Sequence, residues 1–139
     1  MALMLDTNAL IALAMGDPMR ADARLRVAVA YDAGALIVSA TAAWEVGLLA
    51  TQTGRTAAIF GGDGRRWFAA AVERFALTIV PLDAAMALEA AYLPGALASR
   101  DPADKWTVAV ARVLGIPLVT SDRAILAYAA AGFLEAVRR

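Results

Sequence analysis

The sequence has 139 residues, with 13 basic and 13 acidic side chains, no cysteine, no histidine and a mean hydropathy of +0.62. Disulfides, thiolate metal sites, His-ligated zinc and imidazole-dependent nucleophile systems are therefore excluded. The balanced charge provides no global positive field to attract a polyanion, so any such partner must be held by local arginines or bound cations.

A chain of this length fits one domain, residues 1–139, without room for a second core. No uncharged run reaches the roughly 18 residues of a membrane span. The opening Met1–Asp6 lacks the basic and long apolar regions of a secretory signal, so a cytoplasmic protein is expected. In chain order, Ala2–Leu5 is a short apolar run that stops at Asp6, and Ala9–Met15 reads as helix. Asp17-Pro18 has the form of an N-cap followed by proline, opening a helix to about Asp32 with Gly34 as its stop. Leu36–Val38 is a buried strand by composition, followed by a helix from about Thr41 to Thr51. Gly54–Gly64, with Gly61-Gly62-Asp63-Gly64, reads as a mobile loop. A helix over Arg65–Arg74 precedes a strand over Leu77–Val80. Asp83 caps a helix ending near Tyr92, broken by Leu93-Pro94-Gly95. Asp101-Pro102 starts the next helix and Gly115 ends it. Pro117–Thr120 is a strand, a last helix begins near Asp122, and Phe133–Val137 is a candidate edge strand. Seven helices alternating with short apolar runs imply βαβ units in an α/β fold, with a parallel sheet of four to five strands covered on both faces.

Ligands of open parallel sheets bind at the carboxyl ends of the strands, and four acids from distant parts of the chain can converge there. Asp6 directly follows the first strand, and Asp122 lies two residues beyond the Pro117–Thr120 strand. Glu45 is one to two helical turns past the second strand, and Asp104 is in the first turn of a helix. Asp6 and Asp122 each also read as a helix N-cap. Asp104, at the third position after the Asp101 cap, suits the helix dipole. Glu45 is the only charge in a helix apolar on nearly every side, and a buried carboxylate needs a cation or a proton. Trp44, Trp67 and Trp106 read as core or interface rather than as platforms for stacking bases.

Four segments carry a family resemblance. Met4-Leu5-Asp6-Thr7-Asn8-Ala9-Leu10 resembles the opening motif of PIN-domain ribonucleases, in particular the VapC-type toxins of type II toxin–antitoxin pairs. Val38-Ser39-Ala40-Thr41-Ala42-Ala43-Trp44-Glu45-Val46 is similar to that family's second motif. Arg100-Asp101-Pro102-Ala103-Asp104-Lys105 and Leu118-Val119-Thr120-Ser121-Asp122-Arg123 resemble its third and fourth. The matches follow family order and span nearly the whole chain. The resemblance implies a PIN-like α/β/α sandwich and a metal-dependent endoribonuclease leaving 5′-phosphate and 3′-hydroxyl ends. It further implies a homodimer that captures a cognate antitoxin.

A phosphodiester is repelled by a carboxylate cluster unless divalent cations reverse the local field. Oxygen-only ligands suit Mg²⁺, with Mn²⁺ as a substitute. Asp6 is read as the central ligand, Glu45 and Asp104 as completing or orienting the shell, and Asp122 as holding a second ion or its waters. Such ions would activate the attacking water and stabilise the leaving 3′ oxygen. Thr7, Asn8, Ser39, Thr120 and Ser121 are candidates to orient the ligands, as is Asp101, for which capping is the stronger reading. Arg100, Lys105 and Arg123 flank the acids and are candidate phosphate contacts. The alternatives are a magnesium-dependent phosphatase and a non-catalytic RNA-binding module. The first wants a second acid two residues after Asp6, where Asn8 stands. The nearly all-apolar helices Ala9–Met15 and Thr41–Thr51 are the expected interfaces with a second copy or an antitoxin.

Overall fold

The computed structural model describes residues Met1–Arg139, and its elements alternate as the hydrophobic pattern requires. The strands are β1 (Leu3–Leu5), β2 (Leu36–Ser39), β3 (Thr78–Val80), β4 (Leu118–Thr120) and β5 (Ala136–Arg138). The helices are α1 (Thr7–Met15), α2 (Ala21–Asp32), α3 (Ala40–Thr51), α4 (Arg55–Ala58), α5 (Gly64–Arg74), α6 (Ala84–Ala91), α7 (Pro102–Leu114) and α8 (Arg123–Ala130). All neighbouring strands run parallel, in the order β3-β2-β1-β4-β5. This five-stranded parallel sheet flanked by helices is the expected α/β architecture.

The sheet is apolar on both sides, which is why its strands read as continuous hydrophobic runs. Leu3, Leu5, Leu36, Val38, Val119 and Val137 pack with Ala9 and Leu10 of α1, Ala23, Val27 and Ala30 of α2, Ala42 of α3 and Ala71 of α5. On the opposite face Met4 and Leu118 pack with Met86 of α6, Val108, Val110 and Ala111 of α7, and Ile125 and Tyr128 of α8. Trp67, partly buried, packs against the first of these two faces and lies edge-on to buried Phe60 at 5.0 Å between ring centroids. Arg112 of α7 binds Glu89 of α6 at 2.8 Å and also donates to the Phe133 carbonyl, tying α6, α7 and the approach to β5 together.

Several boundaries differ from the local reading. The second helix does not start at Asp17-Pro18: it begins at Ala21 after Arg20, which provides no side-chain cap. Gly16 takes a left-handed conformation (φ 71°) to close α1, and the Asp17 amide donates to the Ala12 carbonyl. Asp17 thus belongs to the end of α1, not the start of α2. The Gly54–Gly64 stretch contains the short α4, so the helices number eight rather than seven. Asp63 accepts from the Arg66 amide and starts α5 at Gly64. The last strand lies beyond Phe133 and Leu134, because the Phe133 ring stacks on Tyr128 at 5.0 Å and both residues pack into the α7–α8 core.

Candidate active site

The strand order places a topological switch beside β1. The chain proceeds from β1 outward through β2 to β3, then returns to the other side of β1 as β4. Crevices open at such points beyond the carboxyl ends of the strands. Leu5 is in register with Val119, so Asp6 stands level with Thr120, and the Asp6 amide donates to the Val119 carbonyl at 3.1 Å. Asp122 follows two residues later on the neighbouring strand's exit.

Asp6 is buried and serves α1 directly, its Oδ1 accepting from the Ala9 amide at 2.7 Å. Capping uses only one carboxylate oxygen, so the structural and chemical readings of Asp6 are compatible. The next residue, Thr7, donates through its hydroxyl to Oε1 of Glu45 at 2.6 Å, joining the start of α1 to α3. Asp104 accepts from the Ser99 hydroxyl at 2.5 Å. Asp122 caps α8 by accepting from the Ile125 amide at 2.9 Å, while its own amide donates to Thr120 Oγ1 at 3.0 Å.

The electrostatics link these acids. Burial pushes the Asp6 carboxyl up from an ordinary 3.8 to about 6, the Asp104 charge adds to the rise, and the Thr120 side chain, the Ala9 amide and Arg139 oppose it. Burial also raises Glu45, reinforced by the negative charges of Asp101, Asp104 and Asp6 and opposed by the Thr7 hydrogen bond. Asp104 is raised by burial and by Asp122 and Asp101, with Ser99 opposing. Asp6, Glu45, Asp104 and Asp122 therefore share one field, although they come from four separate parts of the chain. They do not converge into a ready-made cage: no three acids are gathered closely enough to ligate one ion directly. The donor set is nevertheless carboxylate oxygen throughout, and Mg²⁺ takes one or two carboxylates while keeping most of its waters. The residues present fit that ion.

The supporting residues divide. Thr7 and Thr120 are buried and hold the acids as described, and Asp101 caps α7 through the Ala103 amide at 3.0 Å. Ser39 is buried at the start of α3 without capping it. Asn8 and Ser121 face solvent. Arg100, Lys105 and Arg123 are exposed and form none of the ion pairs, which involve Arg20, Arg26 and Arg112. Two site residues have no counterpart in the sequence reading. Ser99 could have been found as a hydroxyl two residues before the Asp101 cap, whose amide donates to it at 3.2 Å. Arg139 carries no local signal, since only strand pairing brings it near Asp6.

A family model described as "PIN domain" matches residues 3–131. No curated protein matches the chain. Among solved structures, the chain is similar to one in DNA-bound VapBC from Salmonella typhimurium, with 17% identity, a TM-score of 0.68 and coverage of 99% and 98% of the two chains. VapBC2 from Rickettsia felis, bound to a fragment of promoter DNA, gives 14% identity, a TM-score of 0.71 and the same coverages, 99% and 98%. VapBC-5 from Mycobacterium tuberculosis, a member of the VapBC family of toxin–antitoxin systems, gives 23% identity, a TM-score of 0.61 and coverages of 99% and 98%.

Proposed function

The chain belongs to the PIN-domain family, and from that premise we propose that it is a Mg²⁺- or Mn²⁺-dependent endoribonuclease, the toxin of a toxin–antitoxin pair. One observation carries the reading: a buried aspartate at the switch point of a parallel sheet, its carboxyl raised by burial and by the charge of Asp104. A cluster of this kind is unfavourable alone and becomes favourable once cations enter. A purely structural cap does not call for a second carboxylate within its field, as Asp104 is for Asp6.

In this reading Asp6, Glu45, Asp104 and Asp122 hold the ions. Bound Mg²⁺ would supply positive charge to an anionic substrate and acidify a coordinated water. The remaining work falls to the protein. Thr7 fixes the Glu45 carboxylate, Ser99 fixes Asp104, and Thr120 steadies both Asp6 and the turn to Asp122. The caps formed by Asp6 and Asp122 orient these carboxylates against their helices before substrate arrives, which limits reorganisation during the reaction. Arg100, Lys105 and Arg123, which flank the acids in the sequence and are exposed, are the candidates to take RNA phosphates.

The partner proposals rest on exposed apolar side chains. Trp44 and Leu48, one turn apart on α3, are both about half exposed, and Trp44 contacts Trp106 of α7 at 6.0 Å. Met15 of α1 is exposed as well. Such a face suits a second copy of the chain. An antitoxin arginine entering the acid pocket would satisfy two carboxylates at once and compete with metal. No helix is long and apolar enough to cross a membrane.

The test is RNA degradation by purified protein. Cleavage with Mg²⁺ or Mn²⁺, its loss with chelator, and 5′-phosphate ends on the products are expected. Wild-type protein that leaves RNA intact under every metal condition would overturn the nuclease reading. Harmless high-level expression would overturn the toxin reading alone.

A further inference from the structure

The carboxyl edge that carries Asp6 also carries basic residues that belong to none of the motifs. β5 pairs with β4 so that Arg138 stands opposite Thr120, and the Arg139 amide donates to the Thr120 carbonyl at 2.9 Å. Across β4, Thr120 is level with Asp6. Asp6, Thr120 and Arg138 therefore lie along one line at the carboxyl edge of the sheet, with Arg139 a step further out. Adjacent strands are about 4.8 Å apart, so roughly 10 Å separates the β1 and β5 backbones, a span that an arginine side chain can largely cover.

Two further facts bear on what that side chain does. Arg139 is half-buried, and it forms no ion pair with any carboxylate. It is also the only cation whose charge acts on Asp6, Glu45 or Asp104. Arg138, by contrast, is exposed and lines a polar cleft against α2 with Arg20, Asp22, Arg26 and Glu135. An arginine whose backbone is held at the carboxyl edge of the sheet, and whose guanidinium is not consumed by a salt bridge, is available to a planar anion.

We propose that Arg139 is a substrate-binding residue that contacts an RNA phosphate on the β5 side of the acids at the carboxyl edge of the sheet. The assignment rests on the nuclease reading and deepens it by giving the RNA backbone a direction of approach. On this path the strand passes over the ends of β4 and β5, with Arg123 at the start of α8 alongside. The bases contribute nothing to this contact, so the contribution of Arg139 is independent of sequence.

The experiment uses an Asp6→Asn background, so that RNA is bound without being consumed. Affinity for a short labelled single-stranded RNA of mixed sequence is measured over a range of KCl concentrations. Removing one phosphate contact should flatten the plot of log affinity against log salt by about 0.7 for a single strand. Arg139→Gln is expected to bind several-fold more weakly with that shallower slope, and Arg139→Lys to recover the slope. On the unmutated side chain, RNA should protect Arg139 from modification by phenylglyoxal, a readout that survives if Arg139→Gln folds poorly. An unchanged salt slope in a folded Arg139→Gln protein, or equal labelling with and without RNA, would overturn the proposal. The two failures are separable. Wild-type protein that cleaves RNA while Arg139→Gln keeps the slope refutes only the role of Arg139. Protein that binds RNA through Arg139 but never cleaves it refutes only the nuclease reading. Protein that neither binds nor cleaves RNA refutes both.

Discussion

Replacing Asp6 by asparagine separates the two things this residue does. Asparagine caps helices about as well as aspartate, so the bond to the Ala9 amide has a substitute. The charge has none. A carboxyl raised from 3.8 to about 6 on folding takes up protons relative to the unfolded chain. Its contribution to stability is therefore present at low pH and is lost as pH rises from the unfolded value through the folded one. The loss amounts to about 1 kcal/mol at pH 4.5 and about 3 kcal/mol by pH 7.5. In metal-free protein Asp6→Asn should match wild type near pH 3.8 or below and lead it by up to about 3 kcal/mol at pH 7.5. For a chain of this size that is about 10 °C in Tm. Glu45 and Asp104 are raised as well, so both proteins should lose further stability as pH rises above the ordinary carboxylate values. Urea denaturation of both proteins at several pH values, with chelator present, measures the gap directly. Adding Mg²⁺ at 100 times its Kd should return about 2.7 kcal/mol to wild type and less to the variant. A gap that stays constant with pH would refute the argument, as would a variant less stable than wild type at pH 7.5. Asp6 would then be a cap whose charge the fold requires.

Two further outcomes are expected. Thr7→Val removes the hydroxyl that holds Glu45; metal affinity, followed by calorimetry, should fall about 10- to 100-fold, with the melting temperature of the metal-free protein changing little. Converting Trp44 and Leu48 together to glutamate should turn a dimer into a monomer in sedimentation experiments while metal-free stability is retained, since both side chains are already about half exposed; a dimer that persists would place the interface elsewhere.

Much of the molecule was legible locally. The apolar runs ending at Leu5, Val38, Val80 and Thr120 mark four strands, and a polar residue follows or ends most of them, because backbone groups leaving the sheet need partners. Asp83, Asp101 and Asp122 mark helix starts, each accepting an amide in the first turn. These features depend on neighbours within a few residues, so sequence order carries them. The Asp17-Pro18 pair shows where that logic stops: its cap-like form is overridden by the left-handed Gly16 and the closing turn of α1.

What tertiary structure alone decided is which distant residues meet. Strand order put β1 between β2 and β4, and so set Asp6 beside Thr120 and within the field of Asp104. Packing of α1 against α3 brought Thr7 to Glu45, 38 residues away. Pairing of β5 with β4 carried Arg139 to the same edge, and the stacking of Phe133 on Tyr128 decided where that strand begins. Hydrophobic periodicity says that a strand is buried but is the same for every neighbour it could take. Register and adjacency come from hydrogen bonds and packing between segments far apart in the chain, and the acids come within one another's fields only once those are made.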